Sequence, residues 1–159
     1  MTGQSSDQVK IQGVGGWLGF LVFTLVFGGP VIGLLMTYTG LGVAETHNSM
    51  LAGMSEWLHY KYAAWLLFLC AATLSIWAGV ALMKGTNRIV VTFAVICLWL
   101  TGPLVAIIDG WALFPVLMGI RPAAEYDAQV IGRIISASFA PAIWTIYLLR
   151  SKRVRNTYA

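Results

Sequence analysis

At 159 residues the chain is short enough for one domain, and 58% hydrophobic against 10% charged residues lies far from a soluble domain's balance, nearer about half apolar and a quarter charged. The net charge of +4 is clustered between and beyond the apolar stretches, and no basic-aromatic groove pattern accompanies it, so nucleic acid is excluded as a partner. An integral membrane protein remains.

In chain order, residues 1–12 (MTGQSSDQVKIQ) form a polar tail expected to be poorly ordered. They carry no myristoylation signal, because Gly must directly follow the initiator Met. Four apolar runs follow, at residues 14–41, 63–83, 89–108 and 130–149. Each holds the ~20 residues that cross ~30 Å of hydrocarbon as a helix, and none carries more than one ionisable side chain in its interior. A soluble bundle would show a polar face on every helix. The expectation is an all-α integral membrane fold, a single domain of four transmembrane helices. The first run is too long for a secretory signal and is expected to be retained.

Alternating sides across four spans gathers Lys10, Lys84, Arg88, Arg150, Lys152, Arg153 and Arg155 on one side, and Lys61, Arg121 and Arg133 on the other. By the positive-inside rule both termini are cytoplasmic. The tail Arg150, Lys152, Arg153, Arg155 is then read as a topogenic, lipid-facing basic segment. Aromatic positions agree: Trp17, Tyr147 and Tyr158 fall at the inner boundary, with Trp144 slightly deeper. Tyr38, Trp57, Tyr60, Tyr62, Trp65 and Trp111 fall at the outer one. Trp77 and Trp99 lie deeper and are read as helix packing.

The first run opens "GVGGWLGF" (Gly13 to Phe20). A dinucleotide loop needs a preceding strand and a downstream acid; here a polar tail precedes, and the next acid is Glu45, across the membrane. The glycines are read instead as helix packing. Gly15 and Gly19, and again Gly29 and Gly33, have the Gly-x-x-x-Gly spacing that lets backbones approach in lipid. Pro30 should kink the span by removing one backbone hydrogen bond.

"GVGGWL" at the start, four spans, and the ending "WTIYLLRSKRVRNTY" resemble the YdgK-like family of small bacterial inner-membrane proteins, a domain of unknown function. The resemblance rests on Gly13 to Leu18 and on Ser151, Arg153, Val154, Arg155, Thr157 and Tyr158, with Tyr158 where Phe is usual, and on Arg133 near the start of the last span. It implies four helices in the bacterial inner membrane and supplies no biochemical activity.

In the first external loop, Asn48 or Ser49 is an N-cap, and Met50, Leu51, Met54, Trp57 and Leu58 recur at helical spacing. This predicts a short amphipathic helix lying in the outer interface. Glu45, His47, Glu56 and His59 share the loop, but a carboxylate-bridged site needs two acid–His pairs inside a bundle; no metal or other cofactor is expected. Cys70 and Cys97 lie within spans, at depths differing by roughly 7 Å, and are read as free thiols rather than a disulfide.

Asp109 ends the third run and Arg133 opens the fourth. Charges at that depth are tolerated by pairing or snorkelling, so the two are expected to meet, with Glu125 and Asp127 as other partners for Arg133. Together with Trp111 and Trp57 they are the candidates for holding a ligand or a polar headgroup. Between them, "WALFPVLMGIRP" reads as an apolar loop dipping into the interface, punctuated by Pro115 and Pro122. Pro103 and Pro141 should bend the last two spans, with nearby Ser or Thr serving the freed carbonyls.

No nucleophile–base arrangement is readable, so an enzyme is not expected. Three classes of function stand: a protein that binds lipid or another amphiphile, or serves a larger membrane-protein partner; an oligomeric transporter or channel, which would need Asp109 or Arg133 on its pathway because the first helix carries no mid-membrane acid; and an enzyme, which would need a metal at the outer loop.

Overall fold

A computed structural model describes residues 13, 15–119 and 124–158. Four helices long and apolar enough to cross a membrane run Trp17–His47 (α1), Ser55–Lys84 (α2), Arg88–Met118 (α3) and Ala124–Arg150 (α4), followed by a short helix Lys152–Thr157 (α5). Among the described residues there is no strand. α2 packs against α1 and α3, and α3 against α4. Expectations for the tail 1–12, including Lys10, and for Arg121 and Pro122 between α3 and α4 lie outside the described residues.

Every helix outruns its apolar run, because backbone hydrogen bonding continues into the interfacial zone where side chains turn polar. Between α1 and α2 the structure corrects the expected interfacial helix. Asn48 does cap, its side chain accepting from Met50 N–H at 3.2 Å, but it caps a 3-10 turn, Ser49–Gly53. Met54 is extended, so the apolar stripe is split, and Trp57 and Leu58 belong to the first turns of α2. The second correction is larger. Trp111–Met118 is not a loop but the continuation of α3, which ends only where Gly119 takes the left-handed conformation at φ 62°.

In α1 and α3 the prolines are accompanied by π turns. One spans Thr24–Gly28 before Pro30, another Leu100–Leu104 around Pro103, and a third Ile108–Leu113 before Pro115. In the first, the Gly29 N–H reaches back five residues to the Thr24 carbonyl. The next donor in that register would be residue 30, and proline has none. The Leu25 carbonyl left over accepts from Ser75 Oγ at 2.7 Å. A buried serine on α2 thus replaces the hydrogen bond that Pro30 removes from α1. In α4 the carbonyl that Pro141 cannot serve belongs to Ala137, and Gly102 of α3 lies against both: a Cβ there would stand 3.0 Å from that oxygen and 3.2 Å from the proline ring.

The core gathers at the end of the bundle where α1 begins and α4 ends. Leu18, Leu21 and Leu25 of α1, Ala78 and Leu82 of α2, Ala94 and Cys97 of α3, Leu148 of α4, and Val154 and Tyr158 beyond it are all buried in one cluster. Gly79 sets the α1–α2 distance: a Cβ would fall 2.5 Å from Val26 Cγ2 and 3.4 Å from the Val22 carbonyl. Gly29 abuts Ser75 Oγ of α2 and Gly33 the ring of Phe68, so at these two positions the missing Cβ admits a side chain of the neighbouring helix. Gly15 does not take part, because it precedes α1 and shares no helix with Gly19. Both cysteines are free, Cys97 buried and Cys70 exposed.

The basic tail also differs from expectation. Ser151 caps α5, and this short helix folds back across the start of the chain. Arg153 donates to the Gly15 carbonyl, Thr157 Oγ1 accepts from Gly13 N–H at 3.0 Å, and Tyr158 donates to the Leu82 carbonyl. That last acceptor belongs to the final turn of α2, where carbonyls lack intrahelical donors. Burial, with a smaller contribution from Tyr147, raises the Tyr158 phenol above its ordinary pKa and keeps it a neutral donor. Arg153 is therefore turned onto the chain rather than facing lipid, while Arg150, Lys152 and Arg155 stay exposed. Gly16 makes room for it: its φ is 57°, and a Cβ would lie 2.6 Å from the guanidinium.

Candidate functional site: a cavity in the far half of the bundle

Beyond Ser75, towards the end away from the termini, the helices part around a cavity of about 1000 Å³. Its wall on α2 is one helical face, Trp57, Tyr60, Ala64, Phe68, Ala71 and Ser75, and on α1 it runs from Gly29 and Gly33 to Met36, Gly40 and Ala44. Small residues recur on both faces. At Gly29 and Gly33 they bring the helices together, whereas a Cβ on Gly40 would meet nothing within 4 Å. The same residue type that closes one part of the bundle leaves the other hollow.

One end of the cavity is lined by four rings in series. Trp57 lies 5.3 Å from Tyr60, Tyr60 is edge-on to Phe114 at 5.3 Å, and Phe114 stacks on Tyr126 at 5.4 Å. Such pairs hold one another in fixed orientations. Behind the rings sits the charged group of the site. Asp109 Oδ1 accepts from Tyr60 OH at 2.9 Å and Oδ2 from Arg133 Nη2 at 2.8 Å. Tyr126 OH donates to the Gly110 carbonyl at 2.7 Å. A carbonyl within a π turn is an accessible acceptor, because the ladder there is out of register. Gly110 is itself pressed against Val130, so α3 and α4 are close at this level.

The mouth towards the α1–α2 connection is tied by Glu45, which accepts from both Trp57 Nε1 and Lys61 Nζ at 2.8 Å. His47 Nδ1 lies 3.0 Å from the Val43 carbonyl of its own helix. Among the described residues no three His, Cys, Asp or Glu side chains come together as a metal site.

A family model described as "Protein of unknown function (DUF2569)" matches residues 11–159. The chain belongs to the DUF2569 family. No curated protein and no solved structure matches it. The match runs from the glycine stretch to the last residue, so in this DUF2569 protein it includes both segments of the clasp between chain start and α5.

Of the four residues singled out as ligand candidates, three converge. Asp109, Arg133 and Trp57 all line the cavity, although they come from α3, α4 and α2. Trp111 does not: it is exposed, and its indole donates to Asp127 Oδ1 at 3.1 Å. Asp127 thus serves Trp111, and Arg133 pairs with Asp109. Tyr60, Tyr126 and Phe114 went unrecognised as site residues. For Tyr60 a signal was present, since it lies three residues after Trp57 and four before Ala64, on one helical face. For Phe114 there was none, because its segment reads as a loop.

Proposed function

We propose that this DUF2569 protein is a non-enzymatic protein of the bacterial inner membrane that holds a lipid or another amphiphile between its helices. The observation that carries the reading is the cavity: about 1000 Å³, walled by aliphatic and aromatic side chains and bearing one charged group, Asp109 with Arg133. Ligand sites are concave, mostly apolar and supplied with a few placed polar groups, in volumes of roughly 300–1,000 Å³. An amphiphile matches that distribution of surface. The closed pairing of Asp109, with both oxygens engaged, supports a binding role over a catalytic one. The basic residues Lys84, Arg88, Arg150, Lys152 and Arg155 support an orientation with both termini in the cytoplasm. The ends Gly13 to Leu18 and Ser151 to Tyr158 support a place among the YdgK-like members.

Native mass spectrometry of the detergent-extracted protein tests this. A specific amphiphile retained at fixed stoichiometry is the expected result. An empty monomer would overturn it in favour of an accessory role towards a membrane-protein partner lost on extraction.

One observation favours a second reading, a small oligomeric transporter or channel: Asp109 and Arg133 both line the cavity from within helices long enough to span. Transport in vesicles that persisted unchanged in Asp109→Asn/Arg133→Gln protein would remove that reading.

A further inference from the structure

Resting on the amphiphile reading, we infer that Arg133 is the headgroup site of the cavity and that it selects an anionic group, phosphate or carboxylate, leaving the hydrocarbon chain to the apolar wall between α1 and α2. The argument is one of spare hydrogen-bonding capacity. Most of the hydroxyls lining the cavity are spent on protein acceptors: Tyr60 on Asp109, Tyr126 on the Gly110 carbonyl, Ser75 on the Leu25 carbonyl, Thr101 on the Cys97 carbonyl and Thr39 on the Leu35 carbonyl, and the donors left over at Thr37 and Asn48 are neutral. Asp109 accepts at both oxygens, and its side chain is only 14% exposed. Arg133 is different. A guanidinium carries five N–H donors, and among the described residues one of its nitrogens meets a single acceptor. The side chain is 59% exposed and borders the cavity.

Its depth makes that incomplete pairing consequential. Arg133 stands about 5 Å inside the apolar run that opens at residue 130, at the 1.5 Å rise per residue, in a helix apolar enough to cross a membrane. A guanidinium at such depth calls for acceptors, and Asp109 provides only one oxygen. A phosphate or carboxylate fits the planar fork of remaining donors. A neutral head offers that fork no charge, whatever it takes from the neutral donors of Thr37 and Asn48. Asp109 and Tyr60 are then positioning residues: they hold the guanidinium at the cavity rim, and the Asp109 charge competes with the ligand for it.

The competition supplies the test. Full-length protein in detergent is titrated by native mass spectrometry with matched pairs of amphiphiles, dioleoyl phosphatidic acid against dioleoylglycerol and oleate against oleyl alcohol. The wild type is expected to hold the anionic member at least ~10-fold more tightly, equivalent to ~1.4 kcal/mol. The pair that shows the larger ratio distinguishes a phosphate head from a carboxylate. Asp109→Asn should tighten the anionic member several-fold further and leave the neutral one unchanged, a gain that misfolding cannot produce. Arg133→Gln should bring the two members level. Equal affinities in the wild type, or no gain in Asp109→Asn, would overturn the assignment of Arg133 and leave the cavity reading intact. Retention of no amphiphile of either charge would overturn both.

Discussion

The two halves of this bundle use the same residues to opposite ends. At the terminal end, Gly79 lets α1 and α2 close until a single added methyl would collide with Val26. Ten or so ångströms beyond the Gly29–Gly33 contact, Gly40 faces open space. Lipid gives no hydrophobic reward for bringing helices together, so closeness must come from packing and hydrogen bonds. The terminal half has both: the leucine cluster, Ser75 on the Leu25 carbonyl, and Tyr158 on Leu82. The far half has rings and a charge pair along one side and an apolar wall of α1 and α2 along the other. A bundle built this way is closely packed where α1 begins and α4 ends, and open between α1 and α2 at the other end.

The comparison is broken most directly at glycine. Gly79→Ala should destabilise the protein by about 1–3 kcal/mol, the usual range for overpacking, because Val26 is branched at Cβ and the Val22 carbonyl bars retreat. Thermal unfolding in detergent measures it. Ser75→Ala should cost about 1–2 kcal/mol, leaving the Leu25 carbonyl without a donor. A Pro30→Ala background should reduce that loss by restoring a backbone N–H, so the double variant separates the proline account from simple burial. Tyr158→Phe should cost about 1 kcal/mol through the Leu82 carbonyl. Smallest and opposite in sign, Gly40→Ala should stabilise by roughly 0.5–1 kcal/mol, since alanine favours the helix and meets no neighbour. Equal effects at Gly79 and Gly40 would dissolve the distinction between the halves.

How much of this was legible follows the same physics. The four helices are readable because the bilayer imposes length and hydropathy on each one separately. Their ends are less so. Asp109 and Pro115 look like stop signals, yet π turns carry α3 through both. A stop signal in water is weaker in a bundle, where a backbone that stops bonding has nothing else to bond. The ion pair of Asp109 with Arg133 could be anticipated from matching depth on adjacent antiparallel helices. Tyr60 shares a helical face with Trp57, which marks it for the same site, but its bond to Asp109 requires knowing how α2 is rotated about its axis. The clasp is the clearest case. Gly13–Gly16 and Ser151–Tyr158 each stand out as motifs, but hydropathy has no means of saying that Arg153 reaches Gly15. Reading the tail as a topogenic, lipid-facing segment says nothing of the bond that Arg153 makes to Gly15 across most of the chain.

The central claim is that the far half is hollow in order to be occupied. Ala64 lies in the middle of the α2 wall, so Ala64→Phe narrows the cavity at mid-wall while replacing neither a residue of the terminal core nor a member of the Asp109–Arg133 pair. Native mass spectrometry of this variant beside the wild type, with thermal stability measured on the same samples, is the decisive comparison. The account predicts a variant at least as stable as the wild type that no longer carries the retained amphiphile. An equally stable variant that keeps the amphiphile at the wild-type stoichiometry would contradict it and move the binding site to the outer surface of the bundle.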